Sequence, residues 1–339
     1  MIKESIAQLI KGNDLSITEM SAAIEQIMTG KATDAQISSF LTALSIKGET
    51  VEEITAAAKV MREKAVSIPV KSNHDLIDIV GTGGDMLNTF NISTAAAFVV
   101  SGAGLKVAKH GNRSASSLCG SADVIEELGI NINISPANVA ECIEETGIGF
   151  LFARNLHQAM KHAAGPRKEI GIKTVFNILG PLTNPADAEI QLLGVYSTDL
   201  TEKLANVLKN LGRKRALVVH GCDGLDEITL CNDTIVYDLK DNNITEYKIS
   251  PEKLGFSLAN INDLKGGDPK INAEIIVNLL KGKKSPHRDI VILNAAAAVF
   301  AAGITDNLFD ALKISADSID SGKAFAKVNE LIELTGSMI

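Results

Sequence analysis

The sequence predicts an α/β protein: a small N-terminal all-helical domain, then a larger domain with a mostly parallel central sheet flanked by helices. Three observations carry this. Up to about Ser67 the apolar residues recur at three and four places, with no alternating stretch among them. A break containing Pro69 and polar residues follows. Beyond it, short apolar runs are mostly followed by glycine or polar residues and then by helical stretches, the signature of parallel strands joined by crossover helices.

The helical unit is read from Ile6, Leu9 and Ile10, then Ile24, Ile27 and Met28. Ser16 or Thr18, with Glu19 following, caps the second helix, and Gly30 ends it. Thr33 or Asp34 starts the third, which Gly48 closes. The stretch Ile68-Pro69-Val70-Lys71-Ser72-Asn73 marks the boundary, giving a helical domain over residues 1–70 and an α/β domain over 71–339. Strand candidates are 76–80, 105–108, 148–152, 192–195, 216–219 and 290–293. Residues 234–239 and 244–249, joined through Asp241-Asn242-Asn243, read as a hairpin near a sheet edge. The segment 165–185 is poor in strand signal and is expected to return to the helical domain. Ala295-Ala296-Ala297-Ala298 reads as tight helix packing.

The 339 residues are enough for a sizeable core, and 45% apolar with 22% charged residues describes an ordinary globular chain. A net charge of -8 argues against a nucleic-acid partner held by bulk electrostatics, so any phosphate ligand has to be gripped locally. Cys119, Cys142, Cys222 and Cys231 lack zinc or redox spacing, and no secretory leader precedes them, which predicts reduced thiols in a cytoplasm. The longest apolar runs are too short and alanine-rich to span a bilayer, so no membrane segment is expected.

The first strand runs into Gly81-Thr82-Gly83-Gly84-Asp85, and Asn91-Ile92-Ser93-Thr94 then opens an alanine-rich helix. Glycines at a strand's carboxyl end let backbone N–H groups approach an anion, and the following helix N-terminus points partial positive charge at the same place. Diphosphate suits this pattern; a ligand-free turn with a helix cap also fits it. Neither the Walker A nor the Gly-x-Gly-x-x-Gly spacing is present. The second strand leads into Lys109-His110-Gly111-Asn112-Arg113-Ser114-Ala115-Ser116-Ser117, a loop dense in donors that suits a polyanion, with a basic surface turn as the plainer reading. Asp226 and Glu227 form a third loop at a strand's carboxyl end, where adjacent carboxylates can turn toward a hard cation such as magnesium. Solvated carboxylates are the commoner outcome, and the company of the other two loops reverses that preference. His110 reads as an orienting or phosphate-contacting group or an ordinary hydrogen-bonded histidine, and Cys119 and Cys222 as structural.

Together with Arg167 and Phe176-Asn177-Ile178-Leu179-Gly180-Pro181-Leu182-Thr183-Asn184-Pro185, these loops resemble the anthranilate phosphoribosyltransferase family, of nucleoside-phosphorylase-like fold, over nearly the whole chain. The resemblance implies transfer of 5-phosphoribosyl from phosphoribosyl diphosphate to the anthranilate amine, the second step of tryptophan biosynthesis from chorismate. It implies that phosphoribosyl diphosphate is contacted by Gly81, Gly84, Asp85, Thr89, Asn91, Ile92, Ser93, Thr94, Lys109, His110, Gly111, Asn112, Arg113, Ser114, Ala115, Ser116, Ser117 and Ser121. Anthranilate would meet Gly81, Asn112 and Arg167. Magnesium, two ions per chain, would be held by Ser93, Asp226 and Glu227, with no residue assigned as acid, base or nucleophile. A homodimer through the helical domain is also implied. The stretch Arg154-Asn155-Leu156-His157-Gln158 departs from the family pattern although His157 is retained. Two alternatives stay open: a pyrimidine-nucleoside phosphorylase, whose phosphate loop resembles Lys-His-Ser rather than Lys109-His110-Gly111, and a non-catalytic nucleic-acid-binding relative, opposed by the acidic balance and the intact Asp226-Glu227 pair.

Overall fold

The computed structural model describes residues 1–71, 76–114 and 118–338. Four helices come first: α1 (Ile2–Ile10), α2 (Ile17–Met28), α3 (Asp34–Lys47) and α4 (Val51–Lys64). Ser16, Thr33 and Thr50 each cap the helix that follows, and Glu19, Gln36 and Glu53 reach back to close the box. Each such cap is worth about 1 kcal/mol. Gly48 ends α3 at φ 84°, a conformation open to glycine at little cost. A buried ion pair ties α3 to α4: Lys47 Nζ lies 2.8 Å from Glu53 Oε2, and Glu53 Oε1 also accepts from the Leu15 N–H at 2.8 Å.

The rest alternates strands and helices: β1 (Ile77–Gly81), α5 (Ile92–Gly102), β2 (Val107–Gly111), α6 (Ser121–Glu127), α7 (Pro136–Thr146), β3 (Ile148–Phe152), α8 (Ala153–Leu156), α9 (Lys161–Ile170), α10 (Phe176–Leu179), β4 (Ile190–Gly194), α11 (Asp199–Asn210) and β5 (Arg215–Gly221). The hairpin β6 (Thr234–Lys240) and β7 (Asn243–Ile249) follows, then α12 (Pro269–Leu280), α13 (Pro286–Ala301), α14 (Leu308–Asp320) and α15 (Lys323–Gly336). The strands form one sheet in the order β3-β2-β1-β4-β5-β6-β7; β1 to β5 run parallel, and the hairpin adds two antiparallel strands at the edge. The tight turn between β6 and β7 places Asp241 and Asn242 at φ 50° and 63°, a conformation these residue types tolerate.

One sheet face, including Ile77, Ile79, Leu192, Leu217 and Val219, packs on α5, α13 and α15, with α12 and α14 packed against those helices. The other, including Val80, Leu193, Val195 and Val218, packs against the helical bundle, α10 and α11. The alternation of strand side chains thus separates two layers, as a doubly covered sheet requires.

One sequence expectation fails. Residues 290–293 lie inside α13, not in a strand. Their continuous apolar run reflects a helix buried nearly all round, packed between α5 and α14 beneath the sheet, and periodicity cannot distinguish that from a buried strand. Strand β2 also extends further than expected, so Lys109, His110 and Gly111 lie on the strand itself.

Candidate active site

The chain leaves β1 toward β2 on one side and returns in β4 on the other, so β1 and β4 flank the point where strand order reverses. Ligands of open α/β sheets bind outside the carboxyl ends of such strands. Gly81 and Gly194 face each other there. Both are needed for close approach: a Cβ on Gly81 would lie 2.7 Å from Asp226 Oδ2, and one on Gly194 would overlap the Asp226 carbonyl group.

The loop after β5 therefore presses against the ends of β1 and β4. The Gly83 N–H donates to Asp226 Oδ2 at 2.6 Å, and the Ser93 N–H, in the first turn of α5, donates to Glu227 Oε1 at 3.2 Å. Lys109 completes the cluster from β2. Its buried ammonium donates to the Ile79 carbonyl at 2.7 Å and to Ser93 Oγ at 3.3 Å. Burial, then the charges of Asp85 and Glu227, push Asp226 well above the usual carboxylate range. Burial also raises Glu227 to about 7, against the pull of Lys109. Lys109 is lowered by burial, with Asp78, Glu227 and Asp226 opposing the shift. Asp85 accepts from the Leu87 N–H at 3.1 Å, and its other oxygen is buried without a partner.

This excess of buried negative charge fits a divalent cation. Among the described residues no three His, Cys, Asp or Glu side chains form a metal cage of their own. Magnesium does not need one, since it characteristically takes one or two carboxylates and fills its shell with water and substrate phosphate. Asp226 and Glu227, the latter beside Ser93, could supply such a pair of carboxylates.

The other anticipated residues that the structure describes make contacts of their own. Thr89 forms an isolated bridge with Lys265, and Asn91, just before α5, turns its side chain away from the helix end, donating to the Cys119 carbonyl and accepting from Asn272. Ile92 and Thr94 are buried in the first turn of α5. Gly111 lets the chain pass Ser121 and Phe150, and the Asn112 N–H donates to Ser121 Oγ at 3.1 Å. Arg113 points back to α6, pairing with Asp123 at 2.8 Å and Glu126 at 2.6 Å, while the Ser114 N–H donates to Asp123. Ala115, Ser116 and Ser117 lie outside the described residues. Arg167, in the last turn of α9, is half-buried with its guanidinium 5.4 Å from the Phe176 ring centre, and no carboxylate among the described residues pairs with it. His110 and His157 sit with ring centres 5.1 Å apart, both held neutral by burial, His157 at about 4 and His110 also well below the usual imidazole value.

Residues 3–65 match the glycosyl transferase family helical bundle domain, and residues 73–325 the glycosyl transferase family a/b domain. An anthranilate phosphoribosyltransferase of Acetivibrio thermocellus is 53% identical, with 100% of this chain and 98% of that protein covered. The chain belongs to the anthranilate phosphoribosyltransferase family. A second such relative, from Geotalea uraniireducens, is 53% identical over 99% of both chains. The crystal structure of the anthranilate phosphoribosyltransferase from Thermus thermophilus superposes with a TM-score of 0.93 at 41% identity, covering 98% of this chain and 99% of that one. The Saccharomyces cerevisiae anthranilate phosphoribosyltransferase in complex with PRPP and Mg superposes at 0.92 with 30% identity, covering 99% and 98%. Like these anthranilate phosphoribosyltransferases, the chain joins a helical bundle to an α/β domain with a mixed, mostly parallel seven-stranded sheet. No helix among its described residues is long and apolar enough to cross a membrane.

Several contributors were missed from sequence. Asp78 is fully buried on β1 and accepts from the His110 N–H at 3.2 Å; a lone carboxylate inside an apolar strand was its signal. Lys173 donates to the Gly84 carbonyl at 2.9 Å with its ammonium 3.5 Å from the Tyr196 ring centre, so it fastens the glycine turn to the chain beyond β4. No local motif marked it.

Proposed function

We propose that this chain transfers the 5-phosphoribosyl group from phosphoribosyl diphosphate to the anthranilate amine, giving N-(5-phosphoribosyl)anthranilate and diphosphate. The observation that carries the reading is the convergence of Asp226, Glu227, Ser93 and Lys109 outside β1 and β4. A buried carboxylate beside a half-buried one, with the Lys109 ammonium near them, calls for a cation, and a magnesium-diphosphate substrate supplies one. Membership in a family whose yeast relative is described in complex with PRPP and Mg supports it.

In this reading Ser93, Asp226 and Glu227 hold two magnesium ions. Magnesium, when bound, neutralises charge building on the departing diphosphate. The protein's own share is positional and electrostatic. The turn Gly81-Thr82-Gly83-Gly84-Asp85 and the N-terminus of α5, with Thr89, Asn91, Ile92, Ser93 and Thr94, line the diphosphate side. Lys109, His110, Gly111, Asn112, Arg113, Ser114 and Ser121 line the other, and Ala115, Ser116 and Ser117, outside the described residues, are assigned to the same ligand. Arg167, free of any carboxylate among the described residues, pairs the anthranilate carboxylate, with Asn112 and the Gly81 backbone beside the ring. An aryl amine is uncharged at neutral pH and attacks ribose C1 without a strong general base, so neutral His110 and His157 serve as hydrogen-bonding groups. Residues 1–70, rejoined by about 165–185, form the helical domain through which two copies pair, and 71–339 form the catalytic domain. Packing of α9 on α3 and α2 supports the rejoining. Neither the phosphorylase nor the nucleic-acid-binding alternative has an observation in its favour.

The test is to mix the protein with magnesium, phosphoribosyl diphosphate and anthranilate and follow anthranilate fluorescence. Loss of signal that requires all three components is expected. Persistent fluorescence with folded protein overturns the acceptor assignment.

A further inference from the structure

Helix α13 is alanine-rich and, beyond Arg288 in its first turn, apolar along its buried face except at Asn294. Asn294 is fully buried, a place where an amide is costly unless all its groups are paired. They are. Its Nδ2 donates to the Ile228 carbonyl at 2.8 Å and to the Ile290 carbonyl, one turn back, at 2.9 Å; its Oδ1 accepts from the Ile228 N–H at 3.0 Å. The side chain thus grips both backbone groups of the residue that follows Glu227, as a neighbouring strand would. The other side of the loop is pinned as well: the Leu225 N–H and the Thr229 hydroxyl both donate to the Asp223 carboxylate, at 3.4 and 2.7 Å.

We infer that Asn294 is a positioning residue, which through its clamp on Ile228 holds the Glu227 carboxylate in register with Ser93 and Asp226 for cation binding. This rests on the magnesium-site reading above and deepens it. Helix α13 is packed against α5, the helix that supplies Ser93, so one rigid pair of helices fixes two of the three groups that face the ion. A loop freed from Asn294 would spend only part of its time with Glu227 in place. Apparent affinity falls by that competent fraction, and loss of the clamp corresponds to about tenfold weaker binding.

The experiment titrates Mn2+ as a paramagnetic stand-in for magnesium, in the presence of phosphoribosyl diphosphate, and reads free Mn2+ by electron paramagnetic resonance. Four proteins are compared: wild type, Asn294→Ala, Glu227→Gln and Ser318→Ala. The last removes a buried hydroxyl that donates to the Val99 carbonyl at 2.8 Å on the same helical layer, and serves as a control for stability alone. Asn294→Ala is expected to weaken Mn2+ binding about tenfold, with a loss of the same kind in Glu227→Gln and none in Ser318→Ala. Binding weakened in Glu227→Gln but unchanged in Asn294→Ala overturns this inference and leaves the site intact. Unchanged binding in Glu227→Gln overturns the site reading itself. Should Asn294→Ala fail to fold, Asn294→Ser, which retains a short donor, carries the same comparison, and wild-type affinity in it counts against the clamp.

Discussion

Replacing Gly194 by alanine tests how closely the acidic loop is fitted to the strands beneath it. The added Cβ would overlap the Asp226 carbonyl oxygen and lie 2.5 Å from the carbonyl carbon and 3.3 Å from the Glu227 nitrogen. Carbon packs at about 3.5 to 4 Å from its neighbours, so the loop must retreat by about 1 to 2 Å. Strand β4 cannot retreat instead, because it is paired with β1 on one side and β5 on the other. Overpacking of this kind costs about 1 to 3 kcal/mol of stability, and a misplacement of about 1 Å at a reacting site costs about a hundredfold in rate. Gly194→Ala should therefore remain folded, with kcat/KM measured by anthranilate fluorescence down about a hundredfold and a higher magnesium requirement. Gly336→Ala, at the end of α15 where a Cβ meets nothing within 4 Å, should match wild type. Wild-type turnover and magnesium dependence in Gly194→Ala would refute the fit between loop and strands.

Three further outcomes follow from other parts of the molecule. Arg167→Ala should raise KM for anthranilate about ten- to a hundredfold, as loss of a charge-assisted pair does, with little change in KM for phosphoribosyl diphosphate; equal effects on both would contradict the assignment. Lys47→Met should cost about 3 kcal/mol in urea unfolding, because it leaves the fully buried Glu53 carboxylate without its counter-ion. His157, held at about 4 by burial, stays neutral in the folded state while the unfolded chain takes up a proton near 6.5, so its stabilisation is present above pH 6.5 and lost as pH falls toward 4. Wild type should thus lose about 2 kcal/mol more than His157→Gln between pH 6.5 and pH 5, and parallel unfolding curves would contradict the burial argument.

The helical unit was legible because its signals are local. Ser16, Thr33 and Gly48 are all within a few residues of the groups they cap. The parallel strands were legible from their apolar runs, but 290–293 was not, because a helix buried on all sides loses the periodicity that identifies it. At the site, sequence marked the three loops and their residue types. It could not reveal that Gly83 and Asp226, 143 positions apart, are hydrogen-bonded, or that Gly194 is a glycine because Asp226 passes over it. Nor could it tell that Lys109 is buried between backbone and carboxylates while Arg113 is turned to Asp123 and Glu126. Such facts depend on which strand ends meet, a property of topology.

We propose that Asp226 and Glu227, with Ser93 and Lys109, form a magnesium-diphosphate site serving transfer to anthranilate. Release of diphosphate followed by phosphorus nuclear magnetic resonance tests it most directly, in wild type and Glu227→Gln across a range of magnesium concentrations. One diphosphate released per anthranilate consumed is expected, dependent on magnesium, with Glu227→Gln needing far more of the ion to reach the same rate. Release at the wild-type magnesium requirement in Glu227→Gln would contradict it.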